Sequence, residues 1–254
     1  MSLLPQQSLS LSGLIGKALE GWPRTFKASF SFVLMMLVLR LFMVYFPYHS
    51  IHYMIGNSII LIILFLQIFV WGALLFSAYE ALSNNAFSWK EMIARVYNRY
   101  WSVVLGIVTC TLIIGLLTFL GYWIGVLVMK HVPESSHLQL LGVIFVGFPS
   151  LYSIVLLLFV SPILLLEKKG VFQAIGYSCR LTGKHWFLAC SAYLTMLIVM
   201  GVIYFAQIIH RLLSVPEWLA WLGEIAIFFF LVPWCINYFL LVLNQLELRL
   251  EAKP

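Results

Sequence analysis

The chain has 254 residues, 63% hydrophobic and only 9% charged, against about 25% charged in soluble domains, which excludes a soluble globular fold. At about 20 apolar residues per membrane crossing, with short loops, six crossings fit and leave no length for a separate catalytic domain. The nine acidic residues are all Glu, so chemistry built on Asp pairs, Asp-bound magnesium or a phospho-aspartate is excluded as well.

From the N-terminus, Leu11, Leu14, Ile15, Ala18, Leu19 and Trp22 recur at helical spacing with Lys17 and Glu20 opposite, which predicts an amphipathic helix. It leads through Trp22-Pro23-Arg24 into a first apolar span at 27–46. That run starts too late, extends too far and lacks the small-residue cleavage site of a removable signal peptide. The short loop that follows carries Tyr48, His49, His52 and Tyr53, a composition expected at a membrane interface. A second span at 55–79 ends in the turn Ser83-Asn84-Asn85.

Trp89, Met92, Ile93, Val96, Tyr97 and Tyr100 then repeat the first set of offsets, with Lys90, Glu91, Arg95, Asn98 and Arg99 opposite. Ser88 and Glu91 have the spacing of a capping box that starts this second amphipathic helix. Arg99-Tyr100-Trp101 leads into a third span at 102–128. The following loop holds His131, Glu134 and His137, whose spacing would suit a metal on helical turns, but Pro133, Ser135 and Ser136 favour a solvated loop, so no metal is expected. A fourth span at 138–166 contains Pro149 and Pro162, both expected to kink it.

The third amphipathic helix is weaker: Phe172, Ile175, Gly176 and Cys179 form its apolar side, Gln173 and Arg180 lie opposite, and Thr182-Gly183-Lys184 closes it. Lys184-His185-Trp186 leads into a fifth span at 186–213, and a sixth at 219–243 contains a further expected kink at Pro233. Each even-numbered span ends in a glutamate, at Glu80, Glu167 and Glu247. The organisation is therefore a pseudo-threefold repeat of helix, span, span, in units of about 11–86, 87–169 and 170–254 within a single all-α membrane domain.

Orientation follows from the fifteen basic residues. Lys17, Arg24, Lys27, Lys90, Arg95, Arg99, Lys168, Lys169, Arg180, Lys184, Arg249 and Lys253 all fall on one side, leaving Lys130 and Arg211 on the other and Arg40 inside span one. The positive-inside rule places the richer side, with both termini, in the cytoplasm. Lys17, Arg24, Lys90, Arg95, Arg99, Arg180 and Lys184 are the candidate contacts to anionic head groups.

Arg40 and Glu224 fall at matching depth below the outer face and are a candidate buried ion pair, since an ionisable group at membrane depth is costly unless partnered. Such a pair would either line a polar path or simply pack, and Arg40 alone would snorkel outward. Asn57, Gln67, Gln207 and Asn237 are candidates for the same interior, with hydrogen bonding between spans as their ordinary role. Cys110, Cys179, Cys190 and Cys235 lie far apart without a C-x-x-C pair and read as small apolar residues.

The stretch from Ser161-Pro162 through Glu167, Gly170, Ala174 and Ser178 to Leu181-Thr182 resembles the proline, apolar run, glutamate, glycine, Ala-x-x-x-Ser-x-x-Leu-Thr pattern of bacterial six-span integral membrane proteins. These are similar to the membrane domain that precedes some glycerophosphoryl diester phosphodiesterases, and to related inner-membrane proteins. The architecture of nearly the whole chain agrees, whereas the motif covers about 25 residues. Since no phosphodiesterase barrel follows it, the resemblance implies the membrane module without the activity, and it carries no catalytic residue.

No H-E-x-x-H, G-x-S-x-G or Walker loop occurs, and no cofactor motif. The expected function is that of a non-enzymatic bacterial inner-membrane protein interacting with anionic lipid in lipid or envelope homeostasis. The alternatives are a small-solute or lipid transporter, or the permease partner of a separate ATPase. Lipids are the expected partners, with homo-oligomerisation or another membrane partner left open, and nucleic acid is excluded because the basic residues line a membrane face. The topology is directly testable: Asn84→Cys and Lys168→Cys in intact cells should resist an impermeant thiol reagent applied outside, and Ser135→Cys should react. The opposite labelling pattern would invert the orientation.

Overall fold

In a computed structural model of the protein, residues 3–45, 53–85, 88–130, 136–167, 169–212 and 216–251 are described, and all of their regular structure is helical. The helices are α1 (Leu11–Tyr45), α2 (Tyr53–Ser83), α3 (Trp89–Lys130), α4 (Ser136–Leu157), α5 (Val160–Leu166), α6 (Val171–Lys184), α7 (Trp186–Leu212) and α8 (Glu217–Glu251). Among the described residues six stretches are long and apolar enough to cross a membrane: Leu11–Met43, Ser58–Ser83, Trp89–Leu127, Gly147–Leu166, Trp186–Ala206 and Ile225–Glu251. The protein is thus an all-α, multi-pass membrane protein. Large side chains such as Leu112, Phe119 and Trp123 on α3 and Ile198, Tyr204 and Phe205 on α7 are exposed, an apolar surface suited to hydrocarbon rather than water.

Two of the three amphipathic segments are not separate helices. The first is the N-terminal part of α1 and the second that of α3, each continuous with its span. Only the third, α6, is separated from its span, and it alone carries a stop: the chain leaves the helix at His185, whose N–H donates to the Thr182 carbonyl at 3.1 Å. Pro23 does not interrupt α1.

The chain divides into two compact units, Met1–Tyr100 with Ser191–Pro254, and Trp101–Cys190, so that the divisions fall inside α3 and α7. In the first unit α1 packs against both α2 and α8. Its buried stripe is Leu14, Ala18, Gly21, Thr25, Ser29, Val33 and Leu37, spaced three or four residues apart, with small residues through the middle. Small residues let backbones approach in a membrane, where no hydrophobic force drives helices together. A Cβ on Gly21 would come within 2.8 Å of Leu82 on α2. The partners are helices buried nearly all round, α2 over residues 73–78 and α8 over residues 235–243.

Polar groups fasten this packing. Thr25 Oγ1 donates to Asn237 Oδ1 at 2.6 Å, and Asn237 Nδ2 donates to the Ala18 carbonyl at 3.3 Å, with Thr25 and Asn237 fully buried. Trp22 Nε1 donates to the Phe230 carbonyl at 2.9 Å, beside the carbonyl that Pro233 deprives of its usual donor. Ahead of α1, residues 3–10 form a strap along α8: Asn244 Nδ2 donates to the Pro5 carbonyl (3.0 Å), Gln245 Nε2 to that of Gln7 (3.2 Å), and Leu9 N–H to Gln245 Oε1 (2.7 Å). Leu3 N–H donates to the Leu82 carbonyl at 2.8 Å, and Ser10 Oγ caps α1 by accepting from Gly13 N–H.

The end of α2 is equally defined. Asn84 takes a positive φ of 59°, Asn85 N–H donates to the Glu80 carbonyl and Asn84 N–H to that of Ala81, which together form a Schellman motif with asparagine in the left-handed position. This turns the chain towards α3, whose first helical bond runs from Met92 N–H to the Ser88 carbonyl. The Asn237 clamp gives a test: Asn237→Leu and Thr25→Ala should each cost about 1 kcal/mol in a reversible unfolding equilibrium in bicelles. The double variant should cost less than their sum, because one hydrogen bond is shared; additive losses would show that the clamp carries no energy.

Candidate functional site

The second unit is organised around a helix break. Proline at 162 has no N–H and its ring conflicts with the carbonyl four residues earlier, at Leu158. The helix does part there, α4 ending at Leu157 and α5 starting at Val160, so Pro162 sits in the first turn of a new helix. The break leaves carbonyls without helical donors inside an apolar layer. One of them, on Leu156, accepts from Ser178 Oγ at 2.7 Å and from Thr182 Oγ1 at 3.4 Å, both on α6. The buried residues of α6 are Ala174, Ser178, Leu181 and Thr182. Pro162, Ala174, Ser178, Leu181 and Thr182 therefore act together as packing: the proline starts a new helix after the break, and the helix opposite supplies donors to the Leu156 carbonyl at the end of the old one. Gly106 of α3 lies so close to α5 that a Cβ there would overlap Leu164, and Thr118 Oγ1 and Ser150 Oγ share a hydrogen bond of 2.8 Å between α3 and α4.

This docking sets the orientation of α6. Its apolar side, Phe172, Ile175, Gly176 and Cys179, is turned out of the buried stripe: Phe172 is 82% exposed and Gly176 is exposed, because the polar Ser178 and Thr182 have a better partner in the broken helix than the apolar residues have. Burial pushes the half-buried Cys179 thiol up, which keeps it neutral.

Around the helix from its buried stripe lies an open recess of about 360 Å³ lined by Lys169, Gln173, Gly176, Tyr177 and Arg180. Lys169 Nζ lies 3.0 Å from the centre of the Tyr177 ring and 2.5 Å from Glu167 Oε2, while the Arg180 guanidinium carbon lies 5.8 Å from the same ring. Gly170 caps α6 in an extended conformation, and its N–H donates to Gln173 Oε1 at 3.3 Å. Because glycine has no side chain, this is only half of a capping box.

The remaining candidate cations differ in what holds them. Arg95 lies 3.6 Å from Glu80 and 4.7 Å from the centre of the Phe76 ring, so its charge is partly committed within the fold; Glu80 also accepts from Asn85 Nδ2 at 2.6 Å. Arg24, Lys90, Arg180 and Lys184 are exposed, and Lys17 and Arg99 are half-buried. Beside them, large apolar groups stay open: Trp89 is 45% exposed and Ile93 47%, whereas Met92 and Val96 between them are buried. In α1 the equivalent set repeats this, with Leu11, Ile15 and Leu19 exposed and Leu14 and Ala18 buried.

Arg40 is half-buried, its guanidinium carbon 6.0 Å from the centre of the buried Phe228 ring. The side chain of Glu224 lies outside the described residues, as do the side chains of Asn57, Gln207 and His137, and all of His49, His52, His131 and Glu134. Among the described residues no group of three His, Cys, Asp or Glu is placed to hold a metal. Pro149 and Pro233 lie inside uninterrupted helices, α4 and α8.

Against known protein families, curated proteins and solved structures the chain finds no match. Sequence patterning missed Lys169 and Tyr177, since it took α6 only as an apolar and a polar face; the signal was a tyrosine eight residues after one lysine and three before an arginine, which on a helix starting at Val171 brings both cations to one ring. The role of the break is testable by a double-mutant cycle. Ser178→Ala should cost about 1 kcal/mol in the natural background and distinctly less alongside Pro162→Ala, where the new N–H can bond the Leu158 carbonyl, the helix can run on through the break and Val160 N–H can become the donor for Leu156. Equal losses in both backgrounds would separate Ser178 from the break.

Proposed function

We propose that the protein is a non-enzymatic inner-membrane protein of a bacterial cell, with both termini cytoplasmic, that associates with anionic lipid in support of lipid or envelope homeostasis. The bacterial setting rests on the resemblance carried by Pro162, Glu167, Gly170 and the Ala174 to Thr182 pattern. Under this reading the chain is a threefold repeat of amphipathic segment, span, span, and the amphipathic segments lie at head-group level. Supporting the repeat, Leu14 and Ala18 correspond to Met92 and Val96 in burial, and Ile15 and Leu19 to Ile93 and Tyr97 in exposure. The third copy departs from this register because α6 turns Ser178 and Thr182 inward.

The observation that carries the reading is the divided apolar face. A segment that served only to pack would bury its large apolar groups, whereas here half of them stay exposed next to Lys17, Lys90, Arg99 or Arg180. Exposed aromatic and aliphatic groups beside cations are the signature of a helix in the bilayer interface, where each Lys or Arg near an anionic surface contributes about 1 kcal/mol. The test uses nanodiscs of mixed phosphatidylglycerol and phosphatidylcholine, with native mass spectrometry of the released protein. Phosphatidylglycerol should be retained above its share of the bilayer, and changing Lys17, Lys90, Arg99 and Lys184 together to Gln should abolish most of that enrichment while the helical circular dichroism is unchanged. Retention of the two lipids in proportion to the bilayer by the unaltered protein would refute the proposal.

A further inference from the structure

We infer that the recess beside α6 is a binding site for the phosphate group of an anionic ligand, with Lys169 and Arg180 as its cationic contacts. The inference rests on the anionic-lipid reading only where the phosphate comes from a lipid. Two cations share one aromatic ring here: Lys169 Nζ at 3.0 Å and the Arg180 guanidinium carbon at 5.8 Å from the centre of Tyr177. Like charges brought onto a common ring repel, and the arrangement is complete only with negative charge nearby. Glu167 supplies it to Lys169 alone; among the described residues Arg180 has no carboxylate within ion-pairing distance. The guanidinium is exposed and its planar set of donors matches two oxygens of a phosphate.

The remaining lining fits the same ligand. Gln173 uses its carbonyl oxygen on the Gly170 N–H, which leaves its amide N–H groups for an acceptor. Gly176 leaves the wall open, and a Cβ added there would meet nothing within 4 Å. The volume of about 360 Å³ is at the lower end of small-ligand sites, about 300 to 1,000 Å³, and accommodates a phosphate with a glycerol-sized substituent. Phosphate is favoured over a carboxylate because two cations line one recess, and a phosphate group has more oxygens to share between them. Glu167 is then the internal competitor: it holds Lys169 through one oxygen and yields it to the ligand.

The experiment uses the full-length protein in neutral detergent, titrated separately with short-chain phosphatidylglycerol, short-chain phosphatidylcholine, glycerol phosphate and inorganic phosphate, with bound species counted by native mass spectrometry. One saturable site for a phosphate-bearing anion is expected, weakened at least tenfold by Lys169→Gln with Arg180→Gln and blocked by Gly176→Leu, a substitution that the open space allows the fold to accept. Glu167→Gln should tighten it severalfold, and Glu91→Gln, the same change of charge at an exposed position elsewhere, should leave it unchanged. Saturation by phosphatidylglycerol alone identifies a lipid head group, and competition by glycerol phosphate or inorganic phosphate identifies a soluble source; either supports the site. Binding that is equal in the Lys169 and Arg180 variants, or no saturable binding of any of these anions, would overturn it. Because Lys17, Lys90, Arg99 and Lys184 are untouched, loss of this site and loss of general lipid enrichment are separate results.

Discussion

A hydrocarbon layer holds no water, so each backbone group released from a helix must find its partner inside the protein. That constraint explains the placement of the polar residues in this chain better than any catalytic role does. Pro162 opens the helix at Leu158, and Ser178 and Thr182 supply donors for the Leu156 carbonyl. Near Pro233, the Trp22 indole serves the Phe230 carbonyl. Where no break occurs, hydroxyls bond back onto their own helices, as Ser29 does to Thr25, Thr111 to Ile107 and Thr195 to Ser191. Asn237 satisfies both ends of its amide within α1.

The same constraint orients α6. With Ser178 and Thr182 fixed on the broken helix, Tyr177 and Arg180 are turned away from the buried stripe, and Phe172 is left fully outside it. The surface of α6 thus acquires three sides: one docked, one apolar and open, and one carrying Lys169, Tyr177, Arg180 and Lys184. A helix so divided suits a boundary between protein, hydrocarbon and head groups, which is where the proposed function places it.

The spans were legible in the sequence because an apolar run of that length has few other uses, and so were the start of α3 after Ser88 and the end of α6 near Gly183. Continuity of the amphipathic segments with α1 and α3 was not legible, since a change from amphipathic to wholly apolar pattern looks the same whether the helix bends or runs straight. The strap at residues 3–10 escaped notice because it has no periodicity; its hold depends on Asn244 and Gln245, more than 230 positions away. For α6 the periodicity separated an apolar from a polar side but could not show which residues dock, because hydropathy weighs Phe172 and Ile175 above Ser178 and Thr182 and cannot register a free carbonyl on another helix.

The central claim is that the open apolar sides of the three amphipathic segments lie in lipid, and site-directed spin labelling of the reconstituted protein measures this most directly. Nitroxides placed at Ile15, Ile93 and Phe172 should be relaxed strongly by oxygen and weakly by a water-soluble nickel chelate. Labels at Glu20, Asn98 and Gln173, on the polar sides of the same segments, should show the reverse. High nickel accessibility at Ile15, Ile93 and Phe172 would place these sides in water and contradict the account.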